Sequence, residues 1–169
     1  MESSRPRDEI SFENAHPNAQ KLMQEDFYYS SIEETAPFGS DDGWETFYAF
    51  KEWLQFNDKR NKIDFIKEQI EYWGYPTFNL QSTAISELEE FLIRSELGSR
   101  FMLGIDQAII ATAFGQLYLQ GFMDLNLRSL ATTAVRRQLL PEILNLWEER
   151  RHNRAEKLNK LMAVLKPTQ

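Results

Sequence analysis

The stretch FMLGIDQAIIATAFGQLYLQG, residues 101–121, decides the fold. One face of it is made of small residues: Gly104, Ala108, Ala111 and Gly115. These positions share a side when the segment is helical. Because a glycine inside a helix costs about 1 kcal/mol relative to alanine, two glycines on one face indicate close packing by a neighbour. The pattern predicts a central helix over about 101–121.

The segments on either side of this helix have the apolar periodicity of further helices. Ile63, Ile66, Ile70 and Trp73 follow helical spacing, and Gly74 ends that helix. A short helix is expected over 15–26, whereas the aromatic and β-branched residues near 27–32 favour a short extended piece. We therefore predict an all-α fold, a compact bundle of six or seven helices in one domain at 12–166, after a flexible leader at 1–11.

Composition excludes several classes of protein. The 169 residues include no cysteine, so disulfides and thiolate chemistry are absent. Hydrophobic residues make up 42% of the chain, which is enough for a core and argues against disorder. The segment 101–121 approaches the length of a membrane span, but it contains Asp106 and three glutamines. We therefore expect a buried helix in a cytoplasmic protein that does not enter a membrane.

Charge is distributed unevenly along the chain. Residues 1–125 carry 22 acidic and 10 basic side chains, whereas residues 126–169 carry 9 basic and 4 acidic ones. A basic C-terminal region can bind a partner, or it can pack on the acidic part of the same protein. Packing is favoured because the region also has regular apolar residues. Nucleic-acid binding is not expected, since the pI is about 5.0 and Trp147 is the region's one aromatic residue.

A tight acidic loop, Ala36-Pro-Phe-Gly-Ser-Asp-Asp-Gly-Trp44, precedes an aromatic helix. Asp42 and Glu45 have the spacing of a capping box, and Ser40, Asp41 or Asp42 can cap the helix. Loops that begin helices are also frequent binding sites. The candidate binding residues are His16, Ser40, Asp41, Asp42, Gly43 and Trp44. His16 is placed beside the loop as a hypothesis.

The motifs of metal, cofactor and nucleophile sites are absent or weak. The loop is not an EF-hand, because Phe50 stands where the terminal glutamate belongs. The pairs Glu13/His16 and Glu149/His152 have the spacing of di-metal carboxylate sites, but Pro17 and polar neighbours argue against that function. No glycine-rich phosphate loop or nucleophile elbow occurs. We predict no metal site, no cofactor and no catalytic residue.

Three stretches resemble the YfeS-like family of uncharacterised bacterial proteins. They are AHPNA (15–19), EDFYYS (25–30) and APFGSDDG (36–43), and the later DQAIIA (106–111) and Gly115-Gln116 are also similar. The resemblance implies a bacterial source and cytoplasmic residence, but no activity, cofactor or catalytic residue. Some members carry an appended WGR domain, which this sequence does not show.

These observations predict a binding or protein–protein interaction module, whose partner would be another protein. The alternative is an enzyme with a carboxylate-based site at the 38–44 loop. A deep pocket with Asp41 or Asp42 desolvated beside another titratable group would favour the enzyme. A capped helix beside a shallow aromatic groove would favour the binding module.

Overall fold

The structure, a computed structural model, describes residues 9–166. Over this range the chain forms eight α-helices and no strand. The helices are α1 (Pro17–Leu22), α2 (Asp41–Asn57), α3 (Lys62–Trp73), α4 (Ile85–Ile93), α5 (Gly98–Gln120), α6 (Leu125–Leu139), α7 (Pro141–Leu144) and α8 (Arg151–Leu165). Two 3₁₀ helices cover Asp26–Tyr29 and Asn145–Arg150. Seven of the α-helices have at least six residues, which confirms the predicted all-α bundle.

Helix α5 is the centre of the bundle and packs against α1, α2, α3, α4 and α6. Its small face meets α2. A Cβ atom added at Gly115 would lie 3.3 Å from Phe50 and 3.4 Å from Phe47, and one at Gly104 would lie 2.3 Å from the Asp42 carboxylate. The predicted reason for the two glycines, close packing by a neighbouring helix, is thus confirmed. A Cβ at Gly104 would collide with the Asp42 side chain, whereas one at Gly115 would make a tight contact with two rings.

The burial of α5 explains its membrane-like composition. By length and composition alone, Gly98–Gln120 could cross a membrane, but 83% of its most apolar window is buried inside the protein. The side chains that cover it belong to a large core cluster with residues from Ala15 to Leu165 and to a small one formed by Leu88, Phe91, Met102 and Ile143. The position of the helix agrees with the expectation of a core helix.

The extended piece expected near 27–32 is not a strand. Asp26–Tyr29 form a 3₁₀ helix, which is flanked by extended backbone at Glu25 and Ser30. A strand would point Tyr28 and Tyr29 to opposite faces, whereas both are buried here. Their hydroxyl groups donate to the carbonyl oxygens of Lys160 and Met23, respectively, so the turn is fixed by contacts that β-propensity does not report.

The basic C-terminal helix packs on the acidic part of the chain. Lys157 pairs with Glu33, and Lys160 pairs with Glu25. These contacts confirm the interpretation that was favoured for the basic region. Two further arginines of that region are buried rather than solvated, Arg137 and Arg154.

The predicted leader lies mostly outside the described residues. Positions 1–8 are not described, but residues 9–11 contact the end of α5. The Tyr118 hydroxyl donates to the carbonyl of Glu9 at 3.3 Å and accepts from the amide of Ser11 at 3.1 Å. The boundaries 1–11 and 12–166 stay predictions.

Candidate functional site

Ser40 begins the helix that follows the acidic loop. Its backbone is extended, and its Oγ accepts a hydrogen bond from the Gly43 amide at 3.0 Å. The predicted Asp42–Glu45 capping box is therefore wrong. Because the N-cap lies two residues earlier than that motif requires, the Glu45 carboxylate does not cap the helix and instead accepts from Trp73 Nε1 at 2.9 Å. Gly39 allows the tight turn, since a Cβ there would lie 1.8 Å from the Glu33 carbonyl oxygen.

Asp42 joins α2 to α5 through an ion pair in which the carboxylate is buried and the Arg100 side chain is 47% exposed. Its Oδ2 accepts from Arg100 Nη1 at 2.8 Å and from the Tyr75 hydroxyl at 3.1 Å. Burial, with the negative charge of Asp42, raises the pKa of Tyr75. Gly104 makes the space for this cluster, because any Cβ there would collide with all three side chains. Asp42 is a carboxylate held between helices rather than a helix cap.

The other loop residues lie at the surface of the same helix entrance. Asp41 is exposed, and Trp44 is 39% exposed, with its ring 4.9 Å from the ring of Tyr48. An open depression of about 270 Å³ lies over the loop and is lined in part by Ser40, Asp41 and Arg100. The structure thus places the loop candidates together at one helix end.

His16 lies at the opposite end of α5. Its Nδ1 accepts from the Asn18 amide at 3.0 Å, so it caps α1. Its ring packs over Gly121, where an added Cβ would lie 2.5 Å from it. Asp42 instead contacts α5 at Gly104, about 25 Å away along the helix axis. The hypothesis that His16 lies beside the loop is therefore wrong, and its capping role explains the histidine.

A shallow depression that we call the aromatic groove runs between α2 and α3. Its aromatic lining residues are Trp44, Tyr48, Trp53, Phe56, Phe65 and Tyr72. Phe56 is 87% exposed and Tyr72 is 80% exposed. Phe65 is buried and Tyr48 and Trp53 are half-buried, so the accessible aromatic area comes mainly from Phe56, Tyr72 and Trp44. The groove is therefore a surface on which apolar area remains accessible.

The aromatic groove is also acidic. Four carboxylates line it, those of Asp41, Glu45, Glu52 and Glu68, and no lysine or arginine does. Glu68 is neutralised from outside the groove, because Arg60 Nη2 lies 2.7 Å from its Oε2. Gln69 lies between the helices, and its buried Nε2 has no hydrogen-bond partner in the described part of the chain.

Sequence reasoning missed a buried polar network between α5, α6 and α8. Asp106 and Arg137 form a fully buried pair, and Gln138 Nε2 donates to the same carboxylate at 2.6 Å. Gln138 Oε1 then accepts from Arg154 Nη2 at 3.0 Å, and Arg154 Nη1 donates to the Thr35 hydroxyl at 3.1 Å. Burial lowers the pKa of Arg154 to about 10. Asp106 could have indicated this network in the sequence, because a carboxylate inside the most apolar helix needs a buried partner.

Comparison with known proteins supports the resemblance seen in the sequence. The chain is 27% identical over 139 residues to the uncharacterized protein YfeS of Escherichia coli strain K12. The resemblance to the YfeS-like family is confirmed. The match covers 82% of this chain but only 56% of that protein. No family model matches the sequence, and no solved structure matches it.

YfeS is itself uncharacterized, so the chemistry of the sites must come from the geometry. Among residues 9–166 no group of three or more His, Asp or Glu side chains could hold a metal ion. The Asp42 carboxylate resembles the desolvated group expected of an enzyme, but Arg100 neutralises it. The start of α2 is capped by Ser40 and lies beside the shallow aromatic groove, which is the arrangement expected to favour a binding module over an enzyme.

Proposed function

We propose that this protein is an interaction module that binds a basic, helical segment of another protein in the aromatic groove. The observation that carries the proposal is the exposure of Phe56 and Tyr72 above a groove whose lining charges are all negative. Exposed apolar patches with polar rims mark interaction sites, and aromatic residues supply much of the binding energy in them.

The charge of the groove selects the kind of partner. Asp41, Glu45 and Glu52 remain as negative charges after Arg60 has neutralised Glu68. Lysine and arginine side chains on the partner would complement them and would accelerate association. An acidic partner would be repelled by the same groups.

The shape of the groove favours a helix as the occupant. Trp44 and Phe56 are twelve residues apart on α2, which corresponds to about 18 Å along the helix axis. About three turns of a partner helix match that length. An amphipathic helix would place its apolar face on the aromatic rings and its basic residues over the carboxylates.

A photo-crosslinking experiment tests this proposal. A benzoylphenylalanine replaces Tyr72 in one protein and Ile93 in a matched control, because Ile93 is 82% exposed and lies on α4, outside the groove. Both proteins are expressed in Escherichia coli, irradiated and analysed by mass spectrometry of the crosslinked peptides. We expect a partner that is captured from position 72 alone, through a segment rich in lysine and arginine.

The charge requirement is checked in the same assay. Glu52→Lys, combined with the crosslinker at position 72, should reduce the crosslink yield several-fold, while thermal unfolding stays unchanged. Capture of the same proteins from both positions would contradict the proposal. So would no capture at position 72, or a captured segment that is acidic.

The carboxylate-based enzyme stays the alternative prediction. One structural argument supports it: Asp42 is buried beside Tyr75, and the pKa of Tyr75 is raised by the burial of its own hydroxyl and by the charge of Asp42. Because Arg100 and Tyr75 already hydrogen-bond Asp42 Oδ2, this geometry is explained by the joining of α2 to α5. The aromatic groove has no comparable structural explanation, so the binding function is preferred.

A further inference from the structure

A second cavity lies on another side of Arg100, between the start of α5 and the segment before α8. Its volume is about 280 Å³. Most of its wall is apolar and consists of Leu92, Met102, Leu103, Ile143, Leu146 and Trp147. This volume is near the lower end of the range for small-molecule sites, which suits a ligand the size of a simple metabolite. The cavity shares no residue with the aromatic groove.

The charged groups of this cavity are both positive. Arg100 and Arg150 line it, no carboxylate does, and Ser99 and Gln138 supply the remaining polar groups. This is unexpected in a protein with a net charge of −7. A pocket with apolar walls and arginines selects an anion that has an apolar body.

The nearest acidic groups leave Arg150 able to bind such an anion. Its Nη1 lies 3.8 Å from Glu34 Oε1, which is too long for a hydrogen bond. Asp42 holds Arg100 through Nη1, which fixes that guanidinium at the cavity wall. A guanidinium that has no tight carboxylate partner presents two parallel donors to a ligand carboxylate.

Trp147 is fixed as the aromatic wall before any ligand arrives. Arg154 stacks on its ring with 3.9 Å between the guanidinium carbon and the ring centroid, and Arg150 lies at 5.0 Å. The next residue, Glu148, has φ 54° and ψ −126°, a conformation that costs a non-glycine residue about 1–3 kcal/mol. Arg154 therefore holds the ring of Trp147 from one side, and the chain leaves the ring through a strained residue.

We propose that this cavity binds a small organic carboxylate, with the carboxylate on Arg150 and the apolar body against Trp147. Removal of each of two charges near the cavity should change the ligand affinity in opposite directions, which would not happen in a purely apolar pocket. Loss of the Arg150 charge weakens binding. Loss of the Glu34 charge strengthens it, because Glu34 repels the ligand and competes for Arg150.

Calorimetric titration with phenylacetate tests the proposal, with phenylacetamide as the uncharged match. Phenylacetate should bind at least about tenfold more tightly than phenylacetamide. Arg150→Gln should remove that preference and lower the affinity for phenylacetate about tenfold, whereas Glu34→Gln should raise this affinity. The control is Arg136→Gln, at an exposed arginine that does not line the cavity, and it should leave the affinity unchanged. Ser99→Trp, which fills the cavity from an exposed position, should abolish binding while the circular dichroism spectrum stays unchanged.

Several outcomes would overturn the proposal. Equal binding of the acid and the amide would show that charge does not matter. An unchanged affinity in Arg150→Gln, or a weaker one in Glu34→Gln, would place the carboxylate elsewhere. No binding of phenylacetate, indole-3-acetate or octanoate at millimolar concentration would show that the cavity takes no such ligand. None of these results depends on the aromatic groove, so the two proposals fail separately.

Discussion

Arg137 of α6 and Asp106 of α5 form an ion pair in which both side chains are fully buried, with Nη2 and Oδ1 2.6 Å apart. Arg137 Nε donates to the same carboxylate at 3.1 Å. Its Nη1 donates to the carbonyl oxygens of Leu80 and Ser82 at 3.0 and 2.7 Å. The pair therefore joins two core helices to the loop that precedes α4, and it neutralises a charge that the core could not otherwise hold.

Removal of one partner should be strongly destabilising. Asp106→Leu leaves the Arg137 guanidinium buried without its carboxylate, and we expect a loss of about 3–5 kcal/mol in the free energy of unfolding. Urea denaturation followed by circular dichroism measures it. The matched control is Arg60→Met, which removes an exposed ion pair with Glu68 and should cost less than about 1 kcal/mol.

The double variant Asp106→Leu/Arg137→Met distinguishes an unpaired charge from a packing defect. If the unpaired charge is the cause, the double variant should be more stable than Asp106→Leu alone, because apolar residues can replace a buried pair at little cost. A double variant that is less stable than either single variant would contradict this explanation.

The two glycines on the small face of α5 should respond differently to alanine. Gly104→Ala would bring a methyl group to 2.3 Å from Asp42 Oδ2, so we expect a loss of about 1–3 kcal/mol despite the better helix propensity of alanine. Gly115→Ala meets only the rings of Phe50 and Phe47, at 3.3 and 3.4 Å, and should lie within about 1 kcal/mol of the wild type. Thermal and urea unfolding compare them, and equal losses would mean that the polar cluster does not require Gly104.

The start of α2 should depend on Ser40 rather than on its aspartates as caps. Ser40→Ala removes the hydrogen bond to the Gly43 amide and should cost about 1 kcal/mol. Asp41→Ala, at the exposed neighbouring position, should cost less. Asp42→Ala should also destabilise the protein, because it removes the ion pair with Arg100. In a double-mutant cycle, Asp42→Ala should therefore cost much less in an Arg100→Gln background than in the wild type. An additive cycle would show that Asp42 acts independently of Arg100.

The sequence predicted those features that depend on local spacing. Gly104 and Gly115 indicated the central helix, and Gly74 indicated a helix end. It could not choose between Ser40 and Asp42 as the cap, because several capping residues stand in a row and the choice depends on where the chain turns. The role of Arg137 was also hidden, since its partner Asp106 is 31 residues away and charge alone suggests the surface. His16 was misplaced because it and the loop both lie in stretches that resemble the family, and such a resemblance says nothing about how far apart two residues are in the fold.

Alkaline pH should unfold the protein partly through Tyr29. Burial raises the pKa of Tyr29 from 10.0 to about 12, and its hydroxyl donates to the Met23 carbonyl oxygen at 2.6 Å. Between pH 10 and 12 the folded protein keeps a proton that the unfolded chain releases, so this group's contribution to stability is complete below pH 10 and is lost as pH rises to 12. Arg154 acts in the opposite direction, since burial lowers its pKa to about 10.

The comparison of Tyr29→Phe with the wild type isolates the tyrosine, because Arg154 is present in both proteins. Tyr29→Phe should be less stable at neutral pH and should lose stability less steeply between pH 10 and 12, as measured by urea denaturation at a series of pH values. Tyr72→Phe is the matched control at an exposed tyrosine and should follow the wild-type curve. If Tyr29→Phe and the wild type lost stability with the same slope, Tyr29 would not keep its proton in the folded state, and the buried hydroxyl would have to be explained by packing alone.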